Sequence, residues 1–171
     1  RILPVEVRGV GGEGYLSGIK SVSAGFGFSL AVSADGRRVY AWGDNYYGQL
    51  GDGTNTSSLY PVMVLGVGGE GYLGDDSVWT NNGSVQPIKE VSAGGFHALA
   101  VAMDGNLVYA WGRNNSGQLG DGTGSNSNTP VIVRDTTGAP GTWLTNIGQV
   151  SAGYYHSLAL HEDGAWVYAW G

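Results

Sequence analysis

Apolar positions in this chain fall into short runs, broken at regular intervals by glycine-containing polar pairs. From residue 88, IKEVSAG (88–94) is one apolar run ending in glycine, FHALAVAMDG (96–105) a second and NLVYAWG (106–112) a third. Each is too short for a globular helix and is bounded by turn residues, so each predicts a strand. Asp104-Gly105 separates the second and third runs, and this pair predicts a tight type I′ hairpin, which needs positive φ. A polar glycine/asparagine loop follows, RNNSGQLGDGTGSNSN. TPVIV (129–133) is then a fourth strand, with Pro130 at its start, where a missing N–H is tolerated. No stretch sustains a helical period.

The same text occurs three times. IKSVSAG (19–25), FSLAVSADG (28–36), RRVYAWG (37–43) and YPVMV (60–64) make one unit; IGQVSAG (147–153), HSLALHEDG (156–164) and AWVYAWG (165–171) begin another. The tryptophans of the three VYAWG phrases, Trp42, Trp111 and Trp170, recur every 59 to 69 residues. Self-similarity at this period marks a repeat architecture, and four short strands per unit mark a propeller blade. The chain reads as a single array over 1–171: the tail of a preceding repeat (1–18), two repeats (19–87 and 88–146) and the first part of a third (147–171). LPVEV (3–7) matches YPVMV and TPVIV, so it is expected to supply the strand that the last unit lacks. The chain is accordingly either a window on a longer array or a module that continues into a neighbour. The absence of an initiator Met points the same way, to a processed, excised or partly observed chain.

Between the fourth strand and the next VSAG the units vary. GVGGEGYL occurs twice unchanged, at 9–16 and 66–73. The longest excursion, 74–86, carries Asp75, Asp76, Trp79, Asn81 and Asn82, and long loops on a repeat scaffold are where binding tends to reside.

Composition narrows the function. The formal net charge is −6 and no lysine/arginine cluster exceeds Arg37-Arg38, so a bare phosphate backbone is not an expected partner. There is no cysteine, which removes disulfides, thiolate metal sites and thiol catalysis. No run approaches the roughly 18 apolar residues of a membrane-spanning helix, and residues 1–10 lack the apolar core of a signal peptide.

Sites of chemistry are weak. Gly9, Gly11 and Gly14, like Gly66, Gly68 and Gly71, fit GxGxxG, but no helix follows either, as a dinucleotide site would need. His97 and His156 share one repeat position that Phe28 fills in the first unit, so that position does not require a proton carrier. Ser157 follows His156 on a strand and points to the opposite face. Asp52 and Asp121 in GDGT suggest calcium, yet the terminal glutamate of an EF-hand loop is missing, since Asn55 stands there. Trp42, Trp111 and Trp170 recur in register, as packing residues do. Trp79, Trp143 and Trp166 lie outside the repeated text, and with Tyr46, Tyr47, Tyr154 and Tyr155 they are the candidate interface residues, because Trp and Tyr dominate binding hot spots.

The strings VSAGxxHSLAL, DG, VYAWGxNxxGQLGDGT and PV, in that order, resemble the repeats of the regulator of chromosome condensation family across nearly the whole chain. The NxxGQLGDGT loop reads 45–54 in one unit and 114–123 in the next. That resemblance implies a β-propeller of four-stranded blades, typically seven. It does not imply one function: members exchange nucleotide on a small nuclear GTPase, sense UV-B light, form parts of ubiquitin ligases or inhibit a β-lactamase. The matched residues are scaffold, so none carries a role over.

The expectation is therefore an all-β, non-enzymatic array of about three blades without cofactor, metal, nucleic acid or membrane insertion. Its expected partners are other blades, of the same or identical chains, and an unidentified protein. Leu3 to Val7 of one copy, including Pro4, Val5 and Val7, would complete the terminal blade of another. Such assembly suits an extracellular or surface structural protein. The alternative is a fragment of a longer propeller that regulates a GTPase or acts as an inhibitor-type binding module.

Overall fold

The computed structural model describes residues 2–75 and 86–171. The first sheet holds β1 (Ile19–Ala24), β2 (Phe28–Ser33), β3 (Val39–Gly43) and β4 (Ser58–Met63) in chain order, all antiparallel. The second repeats it with β5 (Ile88–Ala93), β6 (His97–Ala102), β7 (Val108–Gly112) and β8 (Ser127–Ile132). A third, three-stranded sheet contains β9 (Ile147–Ala152), β10 (Ser157–His161) and β11 (Val167–Trp170). These are propeller blades, and the described residues form no closed ring. The fourth strands begin two residues before the expected YPV and TPV positions, because Ser58 and Ser127 already pair with Gly43 and Gly112.

The repeated phrases follow from the geometry of these blades. In VYAWG the register slips at the tryptophan, between Ala41 and Gly43 and between Ala110 and Gly112. Such a bulge needs a residue that tolerates the left-handed region, and Gly43 (φ 113°) and Gly112 (φ 102°) provide it. In VSAG the serine ties neighbouring blades together. Ser23 Oγ accepts the Ala93 N–H at 3.0 Å, and Ser92 Oγ accepts the Ala152 N–H at 2.9 Å. These bonds satisfy main-chain donors on β5 and β9, the first strand of each following blade.

The apolar core lies between blades. Leu30, Val32 and Ala41 of the first blade pack with Val91, Ala100 and Trp111 of the second, and Leu99, Val101 and Val108 pack with Val150 and Ala159 of the third. Trp111 is fully buried, and its indole N–H donates to the Gln49 carbonyl of the preceding blade at 2.9 Å; Trp170 does the same toward Gln118.

One expectation is corrected. The Asp-Gly hairpins are not type I′, which needs positive φ at both central residues. Only the glycines, Gly36 (φ 76°), Gly105 (φ 69°) and Gly164 (φ 75°), lie in the left-handed region. The aspartates instead accept from the main chain two residues on: Asp35 from Arg37, Asp104 from Asn106 and Asp163 from Ala165. This Asx bonding holds the turn without a second positive φ. Within one chain residues 3–7 are not in a strand, and Leu3 and Val5 are exposed.

Candidate interaction surface

In the first two blades the turn after VSAG and the loop after VYAWG lie at the same end, because Gly43 pairs with Phe28 and Gly112 with His97. Aromatic residues collect there. Phe26 in the β1–β2 turn meets Phe96 of the β5–β6 turn (centroids 5.6 Å apart) and Tyr154 of the β9–β10 turn (5.7 Å). Phe96 also meets Tyr154 and Tyr47, each at 5.3 Å. Tyr46 flanks Tyr47 at 4.9 Å, and Tyr155 flanks Tyr154 at 4.5 Å. Most of these pairs are edge to face, the arrangement that the ring quadrupole favours. The result is one continuous aromatic surface across three blades. Phe26 is 71 % exposed and Tyr46 73 % exposed.

One cation sits within it. The Arg113 guanidinium carbon lies 5.0 Å from the Tyr47 ring centroid, 5.1 Å from Tyr155 and 5.7 Å from Phe96. These distances are within cation–π range. Its Nε is buried without a hydrogen-bond partner among the described residues. Desolvation raises the Tyr154 hydroxyl above its ordinary value, the charge of Tyr155 adds to this, and Arg113 opposes it. Gly95 makes room for the cluster: a Cβ there would lie 2.6 Å from the Tyr154 carbonyl oxygen and 3.0 Å from its ring.

The predicted interface residues therefore separate. Tyr46, Tyr47, Tyr154 and Tyr155 come together. Trp166 is exposed but follows the β10–β11 hairpin, at the opposite end of its blade. Trp143 is half-buried, and its bridge to Arg134 matches Arg8 with Tyr15 and Leu65 with Tyr72, so it occupies a repeat position after all. Val7 lines a cavity of about 520 Å³ on the open side of the first blade, with Val22 and Trp42; Pro4 and Val5 are exposed just before it. Trp79 lies outside the described residues. Sequence reading missed Phe26, Phe96 and Arg113. Aligning the repeats on VSAG was the available signal, since aromatics follow it in all three units.

The other candidates are structural. Asp52 Oδ1 already accepts from Asn45 Nδ2, the Thr54 N–H and the Thr54 hydroxyl. Each GxGxxG folds into a small hairpin around a single 3-10 turn, Val10–Gly12 and Val67–Gly69. Serine and histidine do meet, but across blades: His97 Nε2 lies 2.9 Å from Ser157 Oγ. Ser157 donates its own proton to the Gln118 carbonyl at 2.8 Å, so the imidazole is the donor to it and not its base. Among the described residues no group of three or more acidic or histidine side chains could hold a metal ion.

Blades of this form, stitched by serine and tryptophan and carrying their variation at the loop end, define a segment of a repeat propeller. The chain belongs to the regulator of chromosome condensation repeat family, whose profile matches residues 38–101 and 105–160, with a second profile of the same repeat matching 19–49 and 88–118. It is thus an array of protein-interaction repeats. Over 153 residues it is 33% identical to the ultraviolet-B receptor UVR8 of Arabidopsis thaliana, covering 90% of this chain and 29% of that protein. Over 171 residues it is 34% identical to protein pim1 of Schizosaccharomyces pombe, covering 91% and 28%. Among solved structures it resembles Prp20p of Saccharomyces cerevisiae, a protein characterised for binding to Gsp1p and histones (TM-score 0.65, 21% identity, 91% of this chain and 34% of that one). Human WBSCR16 is also similar (TM-score 0.69, 23% identity, 90% and 33%). The chain spans less than a third of the length of the curated relatives it matches.

Proposed function

We propose that the chain is a non-enzymatic protein-binding module and that the aromatic end of its blades is the docking surface. The continuous ring cluster from Tyr46 to Tyr155 carries this reading. A surface cluster of large rings joined across three blades exceeds what a stable blade requires, and Tyr-rich surfaces supply contact area at low entropic cost. Peptides selected from a random displayed library against the chain test it. Binding is expected to fall on replacing Phe26 and Tyr154 together by serine, and to survive replacement of Leu59, which is exposed elsewhere on the first blade. Equal loss at both places would end the proposal.

A second reading rests on the open blade faces. Val22 is 72 % exposed where its counterparts Val91 and Val150 are buried, and Val167 is 66 % exposed where Val39 and Val108 are buried. Trp42 lines the 520 Å³ cavity at the position where Trp111 and Trp170 meet the preceding blade's glutamine carbonyl. Another unit of the same repeat fits there, from a longer chain or from a second copy. Light scattering separates the two: a discrete multimer supports assembly between copies, and a monomer removes it.

A further inference from the structure

We infer that the aromatic surface recognises an acidic peptide segment, with Arg113 as the carboxylate anchor; this rests on the docking surface proposed above. Arg113 replaces a residue with an internal duty. In the first repeat the equivalent Asp44 accepts the Gln49 side-chain amide at 3.1 Å. In the second repeat the equivalent Gln118 is just as buried, but arginine cannot accept, and Gln118 Nε2 is left without a partner among the described residues. An unsatisfied buried amide costs stability. Local rules broken in this way mark functional positions. What the substitution provides is a cation held by three rings, with no ion pair among the described residues.

Charge and shape together choose the occupant. The guanidinium edge presents donors in the fork that a carboxylate matches bidentately. Phe96 beside it, with Phe26 and Tyr154 packed on Phe96, suits an apolar side chain flanking the acid. A polynucleotide would have to approach a chain of net charge −6 with a single cation in this cluster. A second copy of the chain would bring the same cation against this one, which repels.

Short fluorescein-labelled peptides containing Asp or Glu beside Phe, and matched peptides with Asn or Gln in their place, are titrated with the chain by fluorescence anisotropy. The acidic peptides are expected to bind about tenfold tighter than the amide peptides, with the gap closing at high salt. Arg113→Asp is the decisive variant, because it returns the acceptor that Gln118 lacks. It is expected to keep or raise the unfolding midpoint while erasing the preference for acid. Phe26→Ala should weaken both peptide sets alike. Equal binding of acidic and amide peptides that still depends on Phe26 would overturn the anchor but leave the docking surface standing. Binding by neither set would overturn both. An acid preference that survives Arg113→Asp, a DNA oligonucleotide that outcompetes the peptides, or a dimer that Arg113→Asp dissolves would each overturn the inference.

Discussion

His97 Nε2 and Ser157 Oγ lie 2.9 Å apart across the junction of the second and third blades, and the corresponding residues of the preceding junction are Phe28 and Ala98. One junction is polar on both sides and the other apolar on both sides, with all four residues buried. Burial, followed by the neighbouring His156, lowers the His97 pKa from 6.5 to about 4. The folded chain therefore takes up its proton later than the unfolded chain as pH falls. Stability from this residue is complete above pH 6.5 and is lost progressively between 6.5 and 4, by about 3 kcal/mol. Asp35, Asp135 and Asp163 are held below their ordinary 3.8 by hydrogen bonds, so their contribution fades at lower pH. Urea unfolding at pH 7 and pH 4.5 should show the loss. His97→Phe should flatten it, and His97→Phe with Ser157→Ala should recover most of the stability at pH 7 by copying the first junction. A slope unchanged by His97→Phe would assign it elsewhere.

The two interblade tryptophans should differ in cost when replaced by phenylalanine. Among the described residues, the Gln49 carbonyl receives only the Trp111 indole, whereas the Gln118 carbonyl receives both Trp170 and Ser157. Trp111→Phe thus leaves a buried acceptor empty as well as a cavity, and is expected to cost about 2–4 kcal/mol. Trp170→Phe leaves the serine in place on a half-buried residue and is expected to cost about 1 kcal/mol. Denaturant midpoints of the two variants decide; equal losses would mean that ring volume, not the indole bond, dominates.

Asn45 and Asn114 organise their loops through their side-chain amides. Asn45 Oδ1 accepts the Leu50 N–H, and Asn114 Oδ1 accepts that of Leu119, both at 2.9 Å. The amide of Asn45 donates to Asp52 and to the Thr54 and Thr56 carbonyls. Replacing either asparagine by alanine strands a buried N–H and should cost about 1–3 kcal/mol. A calcium chelator should leave the melting temperature unchanged, since the Asp52 oxygen that calcium would need is already engaged. A drop on chelation would show a site that these bonds conceal.

The strands were legible because each apolar run is bounded by glycine and the runs recur, so the period identified the blades before any coordinate did. The hairpin type was not legible, because Asp-Gly fits two turn geometries and the side-chain bond of Asp35 to Arg37 chooses between them. Four of the six rings of the aromatic surface were visible as the Tyr-Tyr pairs 46–47 and 154–155. Phe26 and Phe96 were hidden inside the repeated text, where they read as filler. Arg113 was invisible for a different reason: its meaning lies in the Asp44 it replaces and in rings 17 to 66 residues away in sequence.

Gly95 tests whether the aromatic surface is a single packed unit. Its φ is not in the left-handed region, so alanine brings no backbone strain, only the added Cβ against Tyr154. A contact of 2.6 Å to the Tyr154 main-chain oxygen cannot be relieved by a rotamer change alone, so the β9–β10 turn must shift. Overpacking of this kind costs about 1–3 kcal/mol. More telling is the ring geometry: Tyr154 bridges Phe26, Phe96 and Tyr155, so its displacement should change the near-ultraviolet circular dichroism well beyond one residue. The far-ultraviolet signal should stay, because the blade ladders are untouched. A Gly95→Ala variant with an unaltered near-ultraviolet spectrum would mean that the rings move independently, and a surface of independent rings would not hold Arg113 in place.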